Sequence, residues 1–287
     1  MDRLGTALVL VSAAGFGTLG VLGELAAAAG LSIPTVLSFR FLLATLLVWL
    51  VLGARGRLSL LRGRALAVGV ALGAVGYAAM SGLFFWGLEF MTAGLVGIVL
   101  YTYPVFVVAA AALRLDEPVT RRTLGALGAA LAGVALVTGA DPAGADPRGI
   151  AVVLGAAVVY AGYITASRSA LASVDPQVLT AHVLPGAAAS YLAFGIATGR
   201  LAAPATDYEW TLVVAIAVVA TALPIFTFFA GLERIGASKA SIVSTAEPVV
   251  TLLLGAAVLS EPITPLTVVG GGLVLGGVLL VQTGTGS

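Results

Sequence analysis

The sequence predicts an all-α membrane protein in which ten transmembrane helices form two inverted five-helix repeats. Three observations predict it. First, 60% of the 287 residues are hydrophobic, only 9% are charged, and mean hydropathy is +1.12. A soluble domain carries about a quarter charged residues, so 14 basic and 13 acidic residues cannot clothe a water-facing surface here. Second, apolar stretches recur that can cross ~30 Å of hydrocarbon at about 1.5 Å per residue. The alternating segments of about ten residues that build a membrane barrel are absent. Third, the second half of the chain repeats the first at a constant offset.

The spans are expected at 4–28, 33–53, 65–88, 92–113, 123–140, 149–171, 177–199, 210–232, 238–259 and 266–283. Several connections carry turn signals, such as Asp141-Pro142 and Asp175-Pro176. None is long enough to fold as a soluble domain. The first span is expected to stay in the mature protein, being long for a leader's apolar core. With the amino terminus in the cytoplasm, eleven Lys or Arg fall at inner ends and two, Arg148 and Arg200, at outer loops. Arg40 lies inside span 2. This asymmetry predicts a multi-pass protein of the bacterial inner membrane with both termini cytoplasmic.

Gly87-Leu88-Glu89 recurs as Gly231-Leu232-Glu233, and Glu117-Pro118-Val119-Thr120 as Glu261-Pro262-Ile263-Thr264. The offset is 144, and residues 87–137 match 231–281 at 20 of 51 positions without a gap. The expected units are residues 1–143 and 144–287. Five spans per unit send the second unit into the membrane from the opposite side. Secondary transporters use such inverted repeats, because exchanging the shapes of the halves turns an outward-open molecule inward.

The stretch from Gly231 to Ser241, followed by Glu247-Pro248-Val249 and Glu261-Pro262, resembles the second repeat of EamA-type carriers of the drug/metabolite transporter superfamily. Ser38-Phe39-Arg40-Phe41 resembles the first repeat of the same family. The resemblance covers essentially the whole chain and is nearest the exporters of aromatic and neutral amino acids. It implies a ten-helix exporter of small metabolites, with a cavity walled by spans 1, 3, 4, 6, 8 and 9 and span 2 at the periphery. Span 1 reads Gly15-Phe16-Gly17-Thr18-Leu19-Gly20, without the tryptophan that many members carry there.

Glu247 falls near the middle of span 9, where a carboxylate is costly unless protonated or paired. It reads as an ammonium partner, a proton site or a hydrogen-bonded structural acid. Its repeat mate is Tyr103, so the acid occurs once. Ser244 lies on the face of Glu247, next to Thr245, and Thr221 is the span 8 candidate. Phe16, Tyr77, Phe84, Tyr101, Tyr160 and Tyr163 are the aromatic candidates for the cavity. The alternative for each ring is ordinary packing, although a deep tyrosine hydroxyl needs a partner.

Arg40 could bind a carboxylate through its planar fork, or serve a structural pair, for example with Glu24. Pro104, Pro224 and Pro248 each kink a span and free the carbonyl four residues earlier. These four are structural or gating candidates. Gly125 and Gly128 in span 5, and Gly272 and Gly276 in span 10, predict a close seam between those spans.

With no cysteine and a single histidine, His182, no thiolate or histidine-rich metal site is available. No cofactor is expected. A P-loop is missing, since the only lysine, Lys239, follows Ser238. H-E-x-x-H and G-x-S-x-G are missing too, so the chain does not read as an enzyme. Net charge +1 offers no nucleic-acid surface. The expected partners are a small-molecule substrate, amino acids or related metabolites, and the lipid bilayer, with a monomer as the assembly. The expected function is export by alternating access. An exporter of lipophilic cations is the alternative, and an intramembrane enzyme or receptor a remote one.

Overall fold

A computed structural model describes residues 2–139, 144–260 and 262–282. The expected boundary at 143/144 adjoins residues 140–143 and lies outside the described residues, as does Glu261. Among the described residues every regular element is helical. Spans 1 to 5 are Arg3–Ala28, Ile33–Ala54, Gly63–Gly87, Ala93–Arg114 and Arg121–Thr138. Spans 6 to 10 are Pro147–Ala170, Pro176–Ala197, Asp207–Ile235, Ala237–Leu259 and Pro265–Gln282. Eight are long and apolar enough to cross a membrane, and spans 5 and 10 complete the two sets of five.

Local chemistry starts the helices. Asp2 accepts from the Gly5 amide at 3.0 Å, Ser32 from Thr35 and Thr206 from Glu209. Thr120 and Thr123 cap each other reciprocally. Asp146-Pro147 and Asp175-Pro176 combine a capping carboxylate with a proline in the first turn.

Span 1 packs on spans 8 and 9, and span 6 packs on spans 3 and 4. Spans 2 and 7 pack on each other, as do spans 5 and 10. Exchanging the halves converts the first pair of contacts into the second and maps the other two onto themselves. This is the packing of two related units that share a two-fold axis.

The seam between spans 5 and 10 is close, but it uses a different face from the expected one. A methyl on Gly133 would lie 2.6 Å from the Gly270 carbonyl oxygen, and one on Gly270 2.7 Å from that of Gly133. At Gly125, Gly128, Gly272 and Gly276 an added methyl meets nothing within 4 Å. The reason is register. Gly133 shares a face with Ala126, Ala130 and Val137, whereas Gly125 and Gly128 are turned away by about 100° per residue of offset.

The irregularities of the two units overlap or coincide under the same offset of 144. Span 3 carries a π-helical turn at Leu72–Tyr77 and span 8 one at Val218–Ala222. Span 4 is interrupted at Tyr101 and Thr102, and span 9 at Thr245 and Ala246. After spans 4 and 9, Asp116 (φ 53°) and Ser260 (φ 59°) adopt the left-handed conformation. Few non-glycine residues do so, and these two are repeat mates.

Candidate functional site

A cavity of about 250 Å³ lies between spans 1, 2, 3, 4, 6 and 9. Span 1 gives Phe16 and Leu19, and span 2 gives Leu37 and Arg40. Span 3 supplies Tyr77, Met80, Ser81, Phe84 and Phe85. Span 4 supplies Gly97, Leu100, Tyr101 and Tyr103, while Tyr160 and Glu247 come from spans 6 and 9. The cavity therefore sits in the half of the molecule away from the arginine-rich ends of the helices.

Six of the expected cavity residues face it: Phe16, Tyr77, Phe84, Tyr101, Tyr160 and Glu247. The other four stand behind the walls. Tyr163 is buried against Tyr77 and Tyr160, at ring distances of 5.9 and 6.0 Å. Thr221, Ser244 and Thr245 are buried without lining the cavity. Span 2 takes the lining position expected of span 8, because Arg40 reaches across from span 2 and caps the span 8 backbone.

Arg40 is 3% exposed. Its Nε donates to Thr221 Oγ1 at 3.0 Å, and its Nη2 lies 3.5 Å from the Ala220 carbonyl oxygen. Pro224 cannot donate to that carbonyl, so the guanidinium occupies a position freed by the proline. The same device recurs in span 7, where Pro185 frees the Ala181 carbonyl and Trp49 Nε1 donates to it at 2.7 Å. The Tyr77 hydroxyl is also beside Arg40. Glu24, the partner considered from sequence, makes no ion pair with Arg40. Neither does Glu247, although it faces the same cavity.

Glu247 opens the outer half of span 9, directly after the interruption, with Pro248 behind it. In span 4 the equivalent places belong to Tyr103 and Pro104. At both interruptions the amide bonds shorten to a three-residue step, Thr102 N to Val99 O and Ala246 N to Val243 O. The Tyr101 hydroxyl is the neighbour of the Glu247 carboxylate. Thr251 Oγ1 ties span 9 to span 1 through the Gly17 carbonyl at 3.1 Å.

A second cleft, of about 630 Å³, opens toward the arginine-rich end between spans 3, 4, 6 and 7. Its lining includes Arg64, Arg114, Thr165, Ser169 and Ser173. Spans 3, 4 and 6 contribute to both cavities, on different faces of span 6: Tyr160 lines the central cavity, whereas Gly162, Thr165, Ala166 and Ser169 line the cleft. Tyr103 meets Tyr160 at 4.6 Å, and Tyr163 sits against Phe229 at 6.2 Å. Tyr103 is 2% exposed and donates to the Ser241 carbonyl at 3.3 Å. Through Tyr160 and Tyr163, 6.0 Å apart, these rings form one aromatic cluster beside the central cavity. Tyr103 is not among the aromatic cavity candidates expected from the sequence, where it also stands as the repeat mate of Glu247. The signal that could have found it was that same position, beside a helix-breaking proline.

At the arginine-rich end, both oxygens of Glu117 accept backbone amides at the start of span 9, from Ala237 at 2.7 Å and Ser238 at 2.9 Å. A carboxylate there is favoured by the helix N-terminus. His182 is bonded on both nitrogens, Nδ1 to the Val178 carbonyl and Nε2 to the Leu61 amide. That is the bonding of a neutral structural imidazole. Among the described residues no cluster of acidic or histidine side chains could hold a metal ion.

A family model described as the EamA-like transporter family matches the chain twice, over residues 3–139 and 147–283. A Bacillus subtilis protein named "Uncharacterized transporter YcbK" is 31% identical over 210 residues, which is 70% of this chain. The match spans 65% of that relative's length. An Archaeoglobus fulgidus protein named "Uncharacterized transporter" is 29% identical over 254 residues, covering 88% of this chain and 89% of its own. A solved crystal structure superposes with a TM-score of 0.84 at 20% identity, over 97% of this chain and 98% of that one. That last likeness is one of fold.

Proposed function

Because the chain belongs to the EamA-like transporter family, we propose that it is a secondary carrier exporting amino acids or similar small metabolites across the bacterial inner membrane. The reading puts the arginine-rich end and both termini in the cytoplasm, as the positive-inside rule favours. The 143/144 boundary then separates the two units that exchange shapes. The observation that carries the reading is a central cavity beside a cluster of packed rings, with a separate cleft opening toward the arginine-rich end; the reading takes those rings as the plug between the two. A carrier needs a central site and a barrier that can pass from one side of it to the other.

The size and lining of the central cavity support a small substrate. Its volume falls below the roughly 300–1,000 Å³ of pockets for drug-sized ligands. Rings and hydroxyls dominate its walls, and one charge of each sign faces in. A lipophilic cation would meet Glu247 favourably but Arg40 unfavourably. An amino acid or a neutral metabolite has no such conflict. The export direction rests on the sequence resemblance.

Reconstitution in liposomes tests the reading. Preloaded vesicles should exchange radiolabelled leucine or phenylalanine, with and without a proton gradient. Vesicles that exchange neither, yet accumulate a lipophilic cation such as tetraphenylphosphonium through the protein, would contradict it.

A further inference from the structure

The central cavity is lined by one basic and one acidic side chain that form no ion pair, Arg40 buried and Glu247 half-buried. Arg40 and Glu247 both line it, yet no ion pair joins them. Taking a charge out of water costs several kcal/mol, and inside a membrane protein such groups normally pair with one another or with polar backbone. Arg40 is only partly compensated. Its hydrogen bonds go to a threonine hydroxyl and a carbonyl of span 8, with a tyrosine hydroxyl alongside. None of these carries a negative charge. Glu247 has the Tyr101 hydroxyl beside it and no cation in contact. Each side chain therefore retains bonding capacity toward the same small space. A guanidinium has five N–H donors in a planar fork, and two are assigned to span 8.

We propose that Arg40 and Glu247 form a two-point clamp for a zwitterion, Arg40 taking the carboxylate of an α-amino acid and Glu247 its ammonium group. The clamp rests on the carrier reading above and specifies its substrate class. The rings of Phe16, Phe84, Phe85, Tyr101 and Tyr160 enclose the remaining space, so the side chain the clamp favours is apolar or aromatic. The arrangement also accounts for the single occurrence of each charge. The repeat mate of Arg40 is Leu184 and that of Glu247 is Tyr103. A ligand with two different ends needs two different partners, and a symmetric pair of sites would match only one of its ends. It further gives Arg40 a second task beside tying span 2 to span 8. Since span 2 is clamped to span 8 through Thr221, a carboxylate bound at Arg40 acts on both units at once.

The test uses the full-length protein in liposomes and three probes of one shape: phenylalanine, its deaminated acid 3-phenylpropanoate, and its decarboxylated amine 2-phenylethylamine. Each competes for counterflow of radiolabelled phenylalanine. The wild type should prefer phenylalanine over each analogue by roughly tenfold or more, the scale of one charge-assisted hydrogen bond. In Glu247→Gln the preference over 3-phenylpropanoate should collapse while that over 2-phenylethylamine persists. Arg40→Gln should show the mirror image. If Arg40→Gln fails to fold because the tie to span 8 is lost, Glu247→Gln alone decides. Variants that weaken all three probes equally, or leave both preferences unchanged, overturn the clamp while the carrier reading stands. A wild-type protein that exchanges none of the three probes overturns the amino-acid reading itself, and the clamp with it.

Discussion

At equivalent positions the first unit carries Tyr77, Tyr101 and Tyr103, and the second carries Thr221, Thr245 and Glu247. The backbones there are the same. Both units have a π-helical turn in their third span, an interruption before a proline in their fourth, and a left-handed residue after it. The side chains differ completely. At these positions one unit supplies rings, and the other two hydroxyls behind the wall and one acid; further rings come from the second unit at Tyr160, Tyr163 and Phe229. The difference separates two demands on the duplicated chain. Movement that is equivalent from both sides needs the same hinges twice, whereas recognising an asymmetric substrate needs different chemistry on the two walls.

The contrast breaks first at the plug. If the packed rings form the proposed barrier, Tyr103→Ala should have the largest effect. It removes a buried ring packed on Tyr160 and a hydrogen bond to span 9. The expected cost is about 3–5 kcal/mol, read as a lower unfolding temperature in detergent, together with passive leakage of small solutes from liposomes. Tyr103→Phe keeps the packing and should stay tight to leakage. Equal leakage from the two variants would place the barrier elsewhere.

The shared backbone is tested at the contact between spans 5 and 10, where the units meet on their common axis. Gly133→Leu drives a side chain into the Gly270 carbonyl and should cost about 1–3 kcal/mol. Gly128→Leu points where an added carbon meets nothing and should be silent. Thermal unfolding of the pair distinguishes the faces directly.

Glu117 tests how strongly the start of span 9 is held. Glu117→Ala leaves two amides without their carboxylate and should lose about 1–3 kcal/mol, with faster hydrogen exchange at Ala237 and Ser238. Glu117→Gln, which keeps one acceptor, should fall between.

The smallest effect belongs to Asp2. The Gly5 amide, and then Arg234, hold its carboxyl below the usual carboxylate range. A depressed folded value contributes stability above the unfolded pKa, lost as pH falls through the folded one. The group is exposed, so screening leaves little. Asp2→Asn should be nearly neutral at pH 7, and the small difference from wild type should vanish on acidification.

The spans and their duplication were legible in the sequence because they rest on summed hydropathy and on identities at one offset. Each helix bound falls within three residues of its expected place. The helix breaks in spans 4 and 9 were legible only as Pro104 and Pro248. The π-helical turns have no sequence mark, since an extra residue in a helical turn changes no composition. They decide which side chains face inward, and this is where site reading was weakest. Thr221 lies in one such turn, behind Arg40, and Tyr77 ends the other, at the cavity wall. Arg40 looked peripheral because span 2 is outermost by resemblance. Its long side chain crosses that distance, and reach of this kind does not follow from helix position. The glycine seam failed by register, because spacing identifies a ridge but not which of two ridges meets a neighbour.

The proposed carrier exposes its central cavity and the cleft at the arginine-rich end to opposite sides in turn, with the ring cluster as the barrier between them. The chain contains no cysteine, so single thiols can be placed without removing any. Ser81→Cys lies in the central cavity and Ser169→Cys in the cleft at the arginine-rich end. Each is labelled in oriented liposomes with a membrane-impermeant maleimide added from one side. The account predicts that Ser81→Cys reacts from the periplasmic side and Ser169→Cys from the cytoplasmic side. Substrate added to drive exchange should raise the rate of one while lowering the rate of the other. Labelling of both thiols from a single side, or rates that do not move in opposite directions, would contradict it.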